Sequence, residues 1–94
     1  MIYGYARCST NEDKQDINRQ IRELKAAGAE EIITEREHGD AKVKSQQQVM
    51  FAESEPGDTI IVLEVSRLAR STQQLCEIIE TIREKHSRLV IVGS

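Results

Sequence analysis

Three short stretches of the chain carry residues whose types and spacing suit chemistry on a phosphate. The first is "YARCS", Tyr5 to Ser9. In an extended segment alternate side chains share a face, so Tyr5, Arg7 and Ser9 fall on one side and Ala6 and Cys8 on the other. Ala6 and Cys8 are then expected in the core. Arg7 and Ser9 emerge together, a permanent cation beside a hydroxyl, which is the pairing a nucleophile needs to attack a phosphate. The second is "VSRLARS", Val65 to Ser71, where Arg67 and Arg70 stand three apart. One helical turn would set both on one face, with Leu68 anchoring the turn. Guanidinium forks match phosphate oxygens and the charge that develops on them in a transition state. The third is "TEREHGDAKVK", Thr34 to Lys44, a charged loop. It offers another cation, Lys44, and a histidine, His38, whose ordinary pKa of about 6.5 suits a general base.

Each stretch also has a plainer reading. Arg7 and Ser9 would serve equally as a surface ion pair and a loop start, the two arginines as a solvated basic turn, His38 as a loop histidine in water. The chemistry requires that the three stretches meet, so the elements that position them decide.

Four apolar runs rich in β-branched residues read as strands: "IYGYA" (2–6), "EIIT" (31–34), "TIIVL" (59–63) and "LVIV" (89–92). Helical patterns lie between them. Ile17, Ile21 and Leu24 recur at helix spacing, and Gly28 can close that helix in a left-handed conformation. A second helix is expected from about Val43 to Ser54, with the least regular pattern of the three, ending at the turn signal "EPGD". In the third, Leu75, Ile78, Ile79 and Ile82 form an apolar stripe expected against the sheet, while Glu77, Arg83 and Glu84 face solvent. Ser71 with Gln74 three residues on fits a capping box at its start. The order β-α-β-α-β-α-β implies an α/β fold of three layers, a mainly parallel four-stranded sheet flanked by helices and joined by right-handed crossovers. Such sheets bind ligands beyond the carboxyl ends of their strands, where Tyr5–Ser9 and Glu64–Arg70 both lie.

The bulk numbers narrow the class. The chain has 94 residues, with one proline, no tryptophan and a formal net charge of −3. That is enough for one small domain with one core, and no global basic field advertises nucleic acid. Local arginine clusters can still hold a phosphate. Cys8 and Cys76 are far apart, as expected of a reduced cytoplasmic protein, and Cys8 reads as a small core residue. No stretch is long enough to cross a bilayer. His38, His86, Cys8 and Cys76 lack metal-ligand spacing, and "GAEE" and "EPGD" lack the signature of a glycine-rich phosphate loop. Residues 1–94 read as a single domain without linker or repeat. The stop at Ser94, just after an apolar run, is what a fragment of a longer protein would show.

Taken in order along the whole chain, "YGYARCST", "DINRQIREL" and "GDTIIVLEVSRLARS" resemble the catalytic domain of the serine recombinases, the resolvase/invertase family. The pairing of "YAR-x-S" with a downstream "R-L-x-R" is the specific part. The resemblance implies that Ser9 is the nucleophile, that Arg7, Arg67 and Arg70 match the family's arginines, and that Lys44 stands where the family usually has arginine. It implies attack on a DNA phosphodiester, a 5′-phosphoserine link with a released 3′ hydroxyl, and strand exchange when another DNA end attacks that link. The resemblance implies no catalytic metal, and no nucleotide cofactor either, because covalent catalysis keeps the bond energy. Full-length relatives carry a dimerisation helix and a DNA-binding part after this domain. DNA, a homodimer on each site and a synaptic homotetramer are therefore the implied partners, with weak DNA binding expected of this domain alone. His38 replaces a family serine, Ser66 replaces a frequent acidic residue, and Asp16 falls at a frequently acidic position, where it would serve as general base or as a helix N-terminal charge. Lys44 and His38 are the departures that favour one alternative, a non-catalytic degenerate recombinase domain acting as a regulatory or assembly module.

Overall fold

The computed structural model describes residues 1–8, 14–36 and 45–93. Four strands form one sheet: β1 (Ile2–Cys8), β2 (Glu31–Arg36), β3 (Thr59–Val62) and β4 (Arg88–Ile91). The strand order is β2-β1-β3-β4, and every pairing is parallel. The helices are α1 (Lys14–Ala26), α2 (Gln46–Glu53), the single turn α3 (Val65–Leu68) and α4 (Thr72–Glu84). The expected α/β architecture is therefore the observed one, with β1 and β2 running two residues further than the apolar runs suggested and α3 added between β3 and α4.

Two apolar layers sandwich the sheet. On one face Leu24 of α1 packs with Ala6, Ile61 and Leu63, and Ile17 and Ile32 lie against that cluster. On the other face Met50 and Phe51 of α2, Leu68 of α3, and Ile78 and Ile82 of α4 pack with Tyr3, Tyr5, Ile60 and Val62. β1 is thus covered on both sides, the condition that lets a parallel strand be apolar on successive residues. Cys8 is buried, as expected for a small core residue.

Two details fix how α1 lies. Gly4 has no side chain where α1 crosses β1: a Cβ there would stand 2.8 Å from Ala29 Cβ, 3.0 Å from Ile32 Cδ1 and 3.1 Å from Leu24 Cβ. The helix can therefore press onto the strand backbone. At the helix end Gly28 takes φ +108°, and the amide of Ala29 donates to the Leu24 carbonyl at 3.0 Å, closing the helix by a left-handed turn that glycine adopts without strain.

At α4 the Ser71 side chain accepts from the amide of Gln74 at 3.1 Å, the forward half of the expected capping box. The reverse half is displaced: Gln74 Oε1 accepts from the amide of Arg70, one residue before the cap, at 2.8 Å. The stripe on α4 is narrower than expected. Ile78 and Ile82 are buried and Leu75 is half-buried, but Ile79 is 45% exposed, because it lies on the rim of the stripe and the sheet ends beneath it at the edge strand β4.

Candidate active site

The strand order reverses between β1 and β3: β1 leads to β2 on one side, and β3 and β4 lie on the other. In an open parallel sheet the crevice at such a reversal, beyond the carboxyl ends of the strands, is the natural ligand site. β1 ends there at Cys8, immediately before Ser9. β3 ends beside it and runs through Leu63 into α3, which carries Arg67.

The two chain ends are tied together. Arg67 Nη1 donates to the backbone carbonyl of Arg7 at 3.0 Å, and the Arg7 guanidinium in return donates to the carbonyl of Ser66. Gln20 of α1 joins them, its Nε2 donating to the same Arg7 carbonyl at 3.2 Å and to Asp16 Oδ2 at 2.8 Å. Asp16 Oδ2 also faces Arg67 Nη2 at 3.4 Å, and Asp16 Oδ1 accepts from Arg19 Nη2 at 3.0 Å and Nε at 3.3 Å. Both carboxylate oxygens of Asp16 are therefore engaged by donors. This arrangement ties Arg67, Arg19 and Gln20 to one carboxylate. Gln20 is fully buried, and its Oε1 is buried without a partner. A buried acceptor left unpaired costs about 1–3 kcal/mol. Turning the amide over would set that oxygen against two acceptors, so the observed orientation is the cheaper one.

A second carboxylate performs a similar task on β2, on the side of β1 away from β3. Glu35 lies opposite Arg7 in the β1–β2 register. Its carboxylate accepts from the Tyr5 hydroxyl at 2.7 Å, from Ser45 Oγ at 3.0 Å, and from the amides of Gln46 and Gln47 at 2.9 and 3.1 Å. It thus caps the N-terminus of α2 from another element, since Ser45 makes no side-chain cap of its own. Burial alone would raise the Glu35 pKa, but the Tyr5 hydroxyl, the two amides and the Ser45 hydroxyl together outweigh it, and the net shift is downward. The Tyr5 hydroxyl moves strongly upward, through burial first and its bond to Glu35 second, while the charges of Arg7 and Arg70 act the other way.

α3 is held by its core side. Leu68 is fully buried, as an anchor should be, and its carbonyl accepts from Gln47 Nε2 at 2.9 Å. The expectation that one helical turn carries both Arg67 and Arg70 needs correction. The turn stops at Leu68, and Ala69 is extended at φ −143°, ψ 150°. Burial of both Leu68 and Ala69 draws the backbone inward there, so Arg70 leaves from an extended link. Arg70 lines a shallow groove of about 260 Å³ with Val65, Ala69, Ser71, Thr72 and Leu75.

Of the residues singled out in the sequence, Arg7 and Arg67 meet at the crevice and Arg70 lies on the same side of the sheet. Ser9, His38 and Lys44 lie outside the described residues, on the segments 9–13 and 37–44. Asp16 and Glu35 sit at the bases of those two segments. Gln20, Glu35 and Tyr5 were not singled out. Gln20 had a signal, because positions 17, 20, 21 and 24 make one helix face and Gln20 is its polar member. Glu35 had none, because its place opposite Arg7 depends on strand register.

The comparisons agree with this fold. The family model described as "Resolvase, N terminal domain" matches residues 2–94. A protein named "Resolvase" from Clostridium perfringens is 39% identical over 87 residues, covering 90% of this chain and 45% of that protein. The Transposon Tn3 resolvase of Escherichia coli is 37% identical over 81 residues, covering 84% of this chain and 43% of its own length. The chain therefore spans about half the length of these relatives. Among solved structures, the first ORF of transposon ISC1904 from Sulfolobus solfataricus P2 superposes with a TM-score of 0.73 at 21% identity, covering 99% of this chain and 67% of that one. The N-terminal catalytic domain of TP901-1 integrase gives 0.68, also at 21% identity, covering 98% and 76%. These likenesses carry the fold, and the family model, spanning nearly the whole chain, carries the membership: the chain belongs to the resolvase N-terminal-domain family of serine recombinases.

Proposed function

We propose that this chain is the catalytic part of a site-specific DNA recombinase and that Ser9 is its nucleophile. The observation that carries the reading is the hydrogen bond from Arg67 to the carbonyl of Arg7, because it brings an arginine from beyond β3 to the strand end that leads directly into Ser9. The Ser9 oxygen forms a bond to a DNA phosphorus as the bond from that phosphorus to the 3′ oxygen breaks. The serine proton is lost to a base, and the 3′ oxygen leaves protonated. The product is a 5′-phosphoserine link and a free 3′ hydroxyl. Attack on the link by a 3′ hydroxyl from another DNA end reverses the step and completes strand exchange, with no external energy source.

Arg7, Arg67, Arg70 and Lys44 are proposed to offset the charge on the phosphoryl oxygens as it redistributes in the transition state, so no metal is required for that purpose. Arg19 and Asp16 neutralise each other beside Arg67, which suits a site that stabilises a transient charge more than it holds DNA. Site affinity would come from a DNA-binding part and from assembly into dimers and a tetramer, consistent with the net charge of −3 on this chain. Among the described residues no helix is long and apolar enough to cross a membrane.

The test is covalency. The whole recombinase containing this chain, given nicked suicide DNA bearing its site, is expected to yield a denaturation-resistant protein–5′-DNA adduct that Ser9→Ala abolishes. An adduct that survives Ser9→Ala removes the assigned nucleophile. Site binding without any adduct favours the non-catalytic module instead.

A further inference from the structure

We propose that Asp16 is a positioning residue that locks the Arg67 guanidinium and the strand end leading into Ser9 into one rigid unit. This rests on the recombinase reading above and adds a residue to it.

Three elements converge on this one carboxylate. Asp16 belongs to α1, and it takes Arg67 Nη2 from α3 at 3.4 Å and Gln20 Nε2 from its own helix at 2.8 Å. Both of these groups also donate to the carbonyl of Arg7 at the end of β1, Arg67 at 3.0 Å and Gln20 at 3.2 Å. The four residues close a ring, Asp16–Arg67–Arg7 carbonyl–Gln20, in which the position of each donor depends on two acceptors. Arg7 precedes the segment 9–13 and Asp16 follows it, so the ring closes the base of the segment that carries Ser9.

Two simpler roles fit less well. A charge placed for the helix dipole would need only to lie in the first turn of α1, where Asp16 does lie. That role does not call for a partner on α3, nor for a buried glutamine held in one orientation. A surface ion pair would be more exposed. The side chains of Asp16 and Arg67 are 26% and 20% exposed, against 40% and 50% for the neighbouring Arg19–Glu23 pair. Partial exclusion of water strengthens the interaction and narrows its geometry. Reaction rates are sensitive to misplacement of a group by an ångström, whereas binding to a phosphate backbone is not. Asp16 should therefore act on the rate and not on affinity. Its negative charge beside Arg67 should even weaken DNA binding slightly.

The experiment compares wild type, Asp16→Asn and Asp16→Glu in the whole recombinase, measuring site affinity, single-turnover adduct formation at saturating suicide DNA, and hydrogen exchange of the Arg67 guanidinium by NMR without DNA. Asp16→Asn is expected to slow adduct formation by about tenfold or more, to leave affinity unchanged or tighter, and to speed Arg67 exchange. Asp16→Glu is expected to recover part of both losses. The proposal is overturned if Asp16→Asn forms adduct at the wild-type rate, if affinity and rate fall in parallel, or if the glutamate variant recovers nothing. A wild type that forms no adduct counts against the recombinase reading alone. The exchange measurement then decides the lock, and equal Arg67 exchange in wild type and Asp16→Asn overturns it.

Discussion

Arg67 donates a hydrogen bond to the backbone carbonyl of Arg7 across 60 positions of sequence. The two arginines thereby occupy one side of the sheet, at the reversal of strand order, with Asp16 and Gln20 bracing them from α1. The same bond gives Arg67 two duties, holding the end of β1 and presenting a cation. Arg70 is itself exposed and follows the extended, buried Ala69.

That difference separates the two arginines by experiment. Arg67→Ala is expected to slow cleavage by about a hundredfold or more and also to destabilise the fold by about 1–3 kcal/mol, through the lost bonds to the Arg7 carbonyl and Asp16. Arg70→Ala should slow cleavage comparably while changing stability by no more than about 0.5 kcal/mol. Urea unfolding alongside adduct assays checks both. Equal destabilisation by the two substitutions would contradict the division of labour.

Glu35 offers a pH test. Its carboxylate pKa is lowered in the fold, so its contribution to stability is fully present above the ordinary glutamate value of 4.5 and is lost as pH falls through the lower folded value. At pH 7 Glu35→Gln should cost about 1–2 kcal/mol through the weakened bonds to Tyr5, Ser45 and the α2 amides. The gap between wild type and variant should close on acidification well below pH 4.5. Asp58, also lowered, is common to both proteins and cancels in the difference. Melting curves at neutral and strongly acidic pH measure this, and a gap that does not narrow refutes it.

Gly4→Ala should destabilise the protein by about 1–3 kcal/mol, since the added carbon meets Ala29 at 2.8 Å and Leu24 at 3.1 Å. Because α1 also carries Asp16 and Gln20, its displacement should slow adduct formation as well. A variant as stable as wild type would mean that α1 is not pressed onto β1 here.

Lys44→Arg should leave cleavage unchanged or faster, because arginine keeps the charge and adds a bidentate donor. Single-turnover adduct formation measures it. A large fall would show that the compact ammonium has a role of its own.

Much of this was legible in the chain itself. Strands 2–6 and 59–63 announced themselves by β-branched runs, and Gly28 and Ser71 marked helix ends, because these signals depend on local backbone and solvent preferences. The apolar identity of Leu68 was enough to name it an anchor, and the likeness of "YAR-x-S" and "R-L-x-R" to the resolvases named the family. Other features were settled by long-range packing. The turn that stops at Leu68, the exposure of Ile79 and the pairing of Glu35 with the Tyr5 hydroxyl depend on register and on which helix covers which strand. Asp16 shows the difference most clearly. In the sequence it reads as a general base or a helix N-terminal charge; only the approach of α1 over Gly4 and of α3 beside β1 makes it the carboxylate that joins Arg67 to Gln20. Local propensities can select elements, but hydrogen-bond partners 50 or 60 residues apart exist only once the sheet has brought them within about 3 Å.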